Sequence, residues 1–254
     1  MSEEADRDRE ALAPAAGVFA LFAATVLGGV AMAQPFLGAG LQQFENPSDP
    51  GNAALIGVEI LVVTVIFLVA FRYELGEVLV RLLVVGVFAL SLHYPIAVAL
   101  SALGVGPATP VALVVGLLGG VLLWVFPEWY VIDAAGVLVG ATFVAMFGIS
   151  LGPLPVLVLL VGMAAYDAYS VYVSEHMQSL GSGVIGLKLP MVFVVPPDLD
   201  FSLRDVEDMA ALGDRGVALL GLGDAFFPGM LAVSAATFLD APTVVAGLNL
   251  PGLG

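Results

Sequence analysis

The chain contains no cysteine and only two histidines, His93 and His176. Disulfides, thiol nucleophiles and cysteine-based metal sites are therefore excluded, and no His/Asp/Glu grouping has the spacing of a metal site. Basic residues are scarce too, seven Lys and Arg against 22 Asp and Glu, for a net charge of −15. Nucleic acid, which needs a basic surface, is not a partner of such a chain. Charge of either sign is thin: 11% of residues are charged, where a soluble domain averages about 25%. What fills the 254 residues instead is apolar, 60% of them, with a mean hydropathy of +1.06. This composition predicts an all-α, polytopic transmembrane helix bundle lying in a lipid bilayer.

Seven spans satisfy the ~20-residue length of a membrane crossing. They run near Pro14–Ala33, Ala53–Phe71, Val78–Leu100, Pro110–Phe126, Val131–Ile149, Pro153–Val173 and Val217–Leu239. The expected organisation is an acidic tail (1–13), six spans (14–173), a long loop (174–216), a seventh span (217–239) and an incomplete C-terminal segment (240–254). Ala31-Met32-Ala33 resembles a signal-peptide cleavage site, but the stretch before it is acidic and its apolar run is long, which favours a retained span. All seven basic residues (Arg7, Arg9, Arg72, Arg81, Lys188, Arg204, Arg215) fall on one side if the spans alternate. The positive-inside rule then puts the N-terminus and the long loop in the cytoplasm. Acids gather in the tail and in that loop. A high-salt cytoplasm and an ordinary solvated acidic surface account for them equally well.

Two carboxylates interrupt this apolar text. Asp167 lies in Ala164-Ala165-Tyr166-Asp167-Ala168-Tyr169, and Asp224 in Gly221-Leu222-Gly223-Asp224-Ala225-Phe226. An acidic group in hydrocarbon costs roughly 2.5–3.5 kcal/mol on insertion scales, which makes it a functional candidate. The spans that carry them are antiparallel and joined on the loop side, so each carboxylate is expected roughly 10 Å below the same membrane face. Paired carboxylates suit amide hydrolysis, because like charges at close range leave the pair sharing one proton. One member can then deprotonate a water while the other donates to the scissile carbonyl. Gly221 and Gly223 permit close backbone approach, and Pro228 weakens the helix nearby. The competing reading is an ion-coupled transporter or channel whose buried acids relay protons or ions.

At these residues the chain resembles a known family. Tyr166-Asp167 and Gly221-Leu222-Gly223-Asp224 are similar to the YD and GxGD motifs of presenilin and signal peptide peptidase, the intramembrane aspartyl proteases. The continuation Ala168 to Tyr172, then Ser174-Glu175-His176-Met177, is similar to archaeal presenilin-like members. The resemblance implies Asp167 and Asp224 as a catalytic dyad that cuts transmembrane segments of membrane proteins or peptides without a cofactor or metal. It also implies that the long loop positions substrate as an added strand, for which Leu189, Pro190, Met191, Val192, Phe193, Val194 and Val195 are the matching candidates. Family members have nine spans and a Pro-Ala-Leu motif before the last. Pro251-Gly252-Leu253 comes too soon after Asp224 to fill that role, so the last two helices are expected to be absent or incomplete. Homo-oligomerisation is left open by the sequence.

Elsewhere the simplest readings are structural. Glu59 and Asp133 are expected to reach water from the ends of their spans. Trp124, Trp129 and Tyr130 read as interfacial anchors. Ser202 is expected to cap a short helix over Leu203–Leu212. Glycines 116, 119, 120, 136 and 140 are expected to permit close helix packing.

Overall fold

The structure, a computed structural model, describes residues 2–70, 76–169, 190–206, 212, 216–239, 243–245 and 248–249. Among these residues seven helices occur: α1 (Ser2–Gly38), α2 (Gly51–Ala70), α3 (Gly76–Ala102), α4 (Ala108–Val125), α5 (Trp129–Ser150), α6 (Pro153–Tyr169) and α7 (Leu222–Phe238). They fall on the seven apolar segments of the sequence. Stretches Ala13–Gly38, Val78–Ala102, Ala108–Val125 and Trp129–Ser150 are long and apolar enough to cross a membrane, and the other three are shorter apolar helices.

Three boundaries depart from expectation. The acidic tail from Ser2 onward continues α1 rather than forming a separate segment. Residues Ala218–Gly221, expected to begin the seventh span, form a strand, β2, so α7 starts only at Leu222. Two short strands, β3 (Thr243–Val245) and β4 (Leu248–Asn249), pair antiparallel after α7, where the opening of a helix was expected.

The bundle is built around α5. Its buried residues include Asp133, Gly136, Gly140, Val144 and Gly148, three or four positions apart and so on one face. Each glycine on that face receives a neighbour. A Cβ on Gly136 would lie 2.8 Å from Cε1 of Phe193, and one on Gly140 would lie 2.9 Å from Cδ1 of Leu222. Gly148 receives Val233 of α7, and Gly29 of α1 receives Val144 in return. Without side chains at these points the backbones approach closely, and dispersion contacts replace what lipid would otherwise supply. The same device joins α3 to α4, where Gly120 lies under Ala89 and Gly119 under Leu92.

Hydrogen bonds fasten the end of the bundle remote from the long loop. Gln42 Nε2 donates to the carbonyl of Ile149 (3.0 Å), the Gln43 amide donates to Ser150 Oγ (2.9 Å), and Ser234 Oγ donates to the carbonyl of Leu151 (2.6 Å). The Gln42 and Ser234 donors reach carbonyls that the end of α5 cannot satisfy internally, and the Gln43 amide is held by the Ser150 hydroxyl.

Candidate active site

The opposite end holds the candidate site residues. Strand β1 (Val192–Val195) pairs antiparallel with β2 in the register Val192↔Gly221, Phe193↔Leu220, Val194↔Leu219 and Val195↔Ala218. The next pair, Met191 and Leu222, is joined by a bond from the Leu222 amide to the Met191 carbonyl (2.9 Å). Because ladder bonds alternate along an antiparallel pair, Phe193 and Val195 of β1 also face β2, while Val192 and Val194 point their backbone groups away. On β2 the same alternation turns the amides of Leu219 and Gly221 outward. Among the described residues no hydrogen bond reaches those two amides.

The strand delivers the chain straight into α7, and Gly221 is both the last residue of β2 and the N-cap of the helix. Asp224 therefore sits in the first turn of α7, two residues from its start and not seven. Gly221 has a specific steric duty. A Cβ there would lie 3.1 Å from Oδ2 of Asp224, tighter than ordinary van der Waals contact, so any other residue would push that carboxylate aside. Gly223 is different: its added Cβ would meet only Phe227, at 3.8 Å, and the residue is exposed.

Asp167 lies two residues before the last described residue of α6, and it is exposed. Val156, Leu159, Leu160 and Met163 of α6 share one apolar cluster with Phe226, Phe227, Met230 and Leu231 of α7. Asp167 follows Met163 by four residues, and Asp224 precedes Phe227 by three. Those spacings keep each aspartate on the stripe through which its helix packs. At about 1.5 Å per residue, the backbones of both aspartates lie within about 3 Å of the described ends of two helices in direct contact. Below them Phe147, Phe226 and Phe227 stack edge to face, with centroids 5.6 and 5.1 Å apart.

Of the other expected site residues, Tyr166 is half-buried on α6 and Leu222 packs beside Gly140. In the predicted strand segment, Leu189 lies outside the described residues, as do Ser170–Met177 and the loop as far as 189. Pro190 and Met191 form the turn that leads into β1. Phe193 and Val194 are buried, with Phe193 filling the space over Gly136 of α5. Of the segment expected to form a helix over Leu203–Leu212, residues 203–205 lie in a bend and turn rather than a helix, and residues 207–211 are not described.

Two acids have roles that the sequence did not reveal. Asp133, expected to reach water, is 4% exposed, and its Oδ1 accepts the outward amide of Val194 at 2.8 Å. Glu128, the N-cap residue of α5, is 6% exposed and accepts from Ser202 Oγ (2.8 Å) and the Leu203 amide (3.0 Å). Ser202 thus donates to Glu128. Trp129, read as an interfacial anchor, donates from Nε1 to the carbonyl of Phe201 (3.0 Å). One signal could have exposed Asp133: it stands on the Gly136/Gly140 face of an otherwise apolar helix. Among the described residues no group of His, Asp and Glu could hold a metal ion.

His93 is remote from this end. With Pro35, Leu41, Tyr94 and Val98 it lines a crevice of about 620 Å³ between α1, α3 and α4, and its Nδ1 contacts the carbonyl of Leu90.

Comparison with known proteins agrees with this arrangement. No curated protein matches the chain. Two crystal structures of a presenilin-family intramembrane aspartate protease do, one solved in space group C222 and one in P2. The first is 29% identical with a TM-score of 0.64, covering 95% of this chain and 82% of its own. The second is 30% identical with a TM-score of 0.59, covering 91% of this chain and 80% of its own. The family model described as signal-peptide peptidase, presenilin aspartyl protease matches residues 19–254. With the match running through both aspartate-bearing helices and the strands between them, the chain belongs to the signal peptide peptidase and presenilin family of aspartyl proteases.

Proposed function

We propose that Asp167 and Asp224 are the two catalytic carboxylates of this intramembrane aspartyl endopeptidase, and that its substrates are membrane-spanning segments of other proteins. The observation that carries the assignment is the continuity of two contact stripes. On α6 and on α7 the positions that pack the helices together lead, at the same end of the bundle, to an aspartate.

With one proton shared between them, the ionised carboxylate takes a proton from a water as its oxygen attacks the scissile carbonyl carbon. The protonated carboxylate gives its proton to the carbonyl oxygen, and a gem-diol forms. Collapse of that intermediate breaks the C–N bond and returns a proton to the amine. The roles belong to the pair rather than to either residue.

A helical substrate hides its carbonyls in its own hydrogen bonds, so cleavage requires an extended segment. The sheet offers a template by strand addition. The outward side of β1, which carries the candidate residues Val192–Val195, faces α5. The amides of Leu219 and Gly221 on β2 are the open donors, and they lead directly to Asp224. In this reading β1 supports the template and β2 receives the substrate backbone. Gly223, exposed and with free space beside it, is where the substrate chain passes. Arg81 and Arg204 lie at this end, which by the positive-inside rule supports reading it as the cytoplasmic face. The acid-rich loop and the motif continuation fit an archaeal-type member.

The test is cleavage of a reporter transmembrane peptide by the full chain in detergent or nanodiscs. Asp167→Ala and Asp224→Ala are each expected to abolish turnover, and a transition-state-mimicking aspartyl protease inhibitor to block the parent. Turnover near the parent rate in either variant would remove the dyad. Indifference to the inhibitor would favour an ion-coupled transporter.

A further inference from the structure

We infer that Asp133 is a positioning residue of the protease: it occupies the outward edge of β1 and so leaves β2 as the edge on which substrate backbone is set. The inference rests on the reading of the β1–β2 sheet as a substrate template. It goes beyond that reading in naming what makes the template one-sided.

A two-stranded sheet has two edges, and each is able to recruit a further strand. Here the edges are unequal. The ladder phase fixed by the Leu222–Met191 bond turns the Val194 amide away from β2. That amide meets Oδ1 of Asp133 at 2.8 Å, in a place where both residues are buried. The carboxyl oxygen accepting there takes the donor that an incoming strand would need. The face of β1 is held as well, since Phe193 lies against Gly136 of α5 and Val195 against Gly17 of α1. Asp133 stands one helical turn before Gly136, on the same face of α5. One face of one helix thus carries the socket for the strand's side chain and the acceptor for its backbone.

Across the ladder, Leu219 pairs with Val194 and its outward amide has no partner among the described residues. Substrate can add there, five residues before Asp224. If Asp133 let go, β1 would lose its anchor, and its edge would compete for substrate at a position from which Asp224 lies on the wrong side. The penalty falls on substrate binding and register rather than on the proton transfers, because the Asp133 carboxyl is buried and bonded to the backbone of β1.

The test uses Asp133→Ala, Asp133→Asn and Val194→Pro in the full chain, with sites titrated by a transition-state-mimicking inhibitor so that rates refer to folded enzyme. Val194→Pro deletes the same hydrogen bond from the strand side, at a position whose amide is outside the ladder. Asp133→Ala and Val194→Pro are each expected to raise KM about tenfold and to spread the cleavage positions seen by mass spectrometry. Their kcat per titrated site should stay within about twofold of the parent. The double variant should be no worse than either single one, since both remove one bond. Asp133→Asn, which keeps an acceptor oxygen, should stay near the parent. Unchanged KM and cleavage positions in Val194→Pro would overturn the inference even if Asp133→Ala failed to fold. So would an Asp133→Asn variant as impaired as Asp133→Ala. Failure of the dyad itself would be seen separately, as surviving turnover in Asp167→Ala or Asp224→Ala.

Discussion

Helices α5 and α2 are both apolar and similar in length, yet they live in different surroundings. The most apolar window of α5 is 72% buried inside the protein. Along α2, Leu55, Val58, Leu61, Val62, Val63, Val65 and Ile66 are exposed on every side, and only Ala53, Ile56 and Ile60 join the cluster shared with α6 and α7. Hydropathy does not separate the two. Glycine placement does: Gly136, Gly140 and Gly148 of α5 each lie under a neighbouring side chain, whereas a Cβ on Gly57 of α2 would touch nothing within 4 Å. Lipid solvates an apolar side chain as well as protein does. Apolarity therefore brings a helix into the bilayer, and close backbone approach decides which helix becomes the centre.

The contrast can be broken by moving bulk from one helix to the other. Gly148→Leu should have the largest effect, because its side chain would meet Val233 and, at 3.1 Å, the carbonyl of Met230. Overpacking of this kind costs about 1–3 kcal/mol and sometimes more, so thermal unfolding in detergent should show a much lower midpoint or no folded protein. Gly57→Leu, the matched change on α2, should leave the stability within about 0.5 kcal/mol of the parent. An equal loss from both would erase the distinction between the helices.

Gly136→Val should come next. It displaces Phe193 and with it β1, so activity per folded molecule should fall about tenfold while the bundle stays folded, at a stability loss of about 1–3 kcal/mol. Parallel measurement of unfolding and peptide cleavage separates the two effects. Glu128→Ala removes the carboxylate that accepts from both the Ser202 hydroxyl and the Leu203 amide in a buried place, which should cost about 1–3 kcal/mol. Faster hydrogen exchange at Leu203, with little change in α2, is the expected signature. Smallest, and of opposite sign, is Gly57→Ala, which should raise stability by about 0.5 kcal/mol, since no neighbour resists the methyl group.

The site was legible to different depths on its two sides. Asp167 and Asp224 stood out because carboxylates are costly in apolar segments, and their spacing from the span ends put them at one level. The strand at Val192–Val195 was legible from its β-branched run between prolines. Its partner was not. Ala218–Gly221 reads as the start of an apolar helix, since a short apolar run has no period of its own, and only pairing with β1 makes it a strand. That is why Asp224 was expected a full turn and more inside its helix and lies instead in the first turn. Asp133 was misread for a related reason. An acid near a helix end reaches water unless another element covers it, and the element that covers it arrives from 61 residues away.

Composition and motif alone determined that this chain is a membrane-spanning helix bundle and singled out two candidate aspartates, because desolvation penalties act on each residue locally. Only tertiary structure decided which helix lies at the centre, where the seventh helix begins, and which edge of the sheet Asp133 occupies. Those outcomes depend on which backbones come close enough to exclude lipid and share hydrogen bonds. No single segment contains that information, since it arises only when one segment meets another.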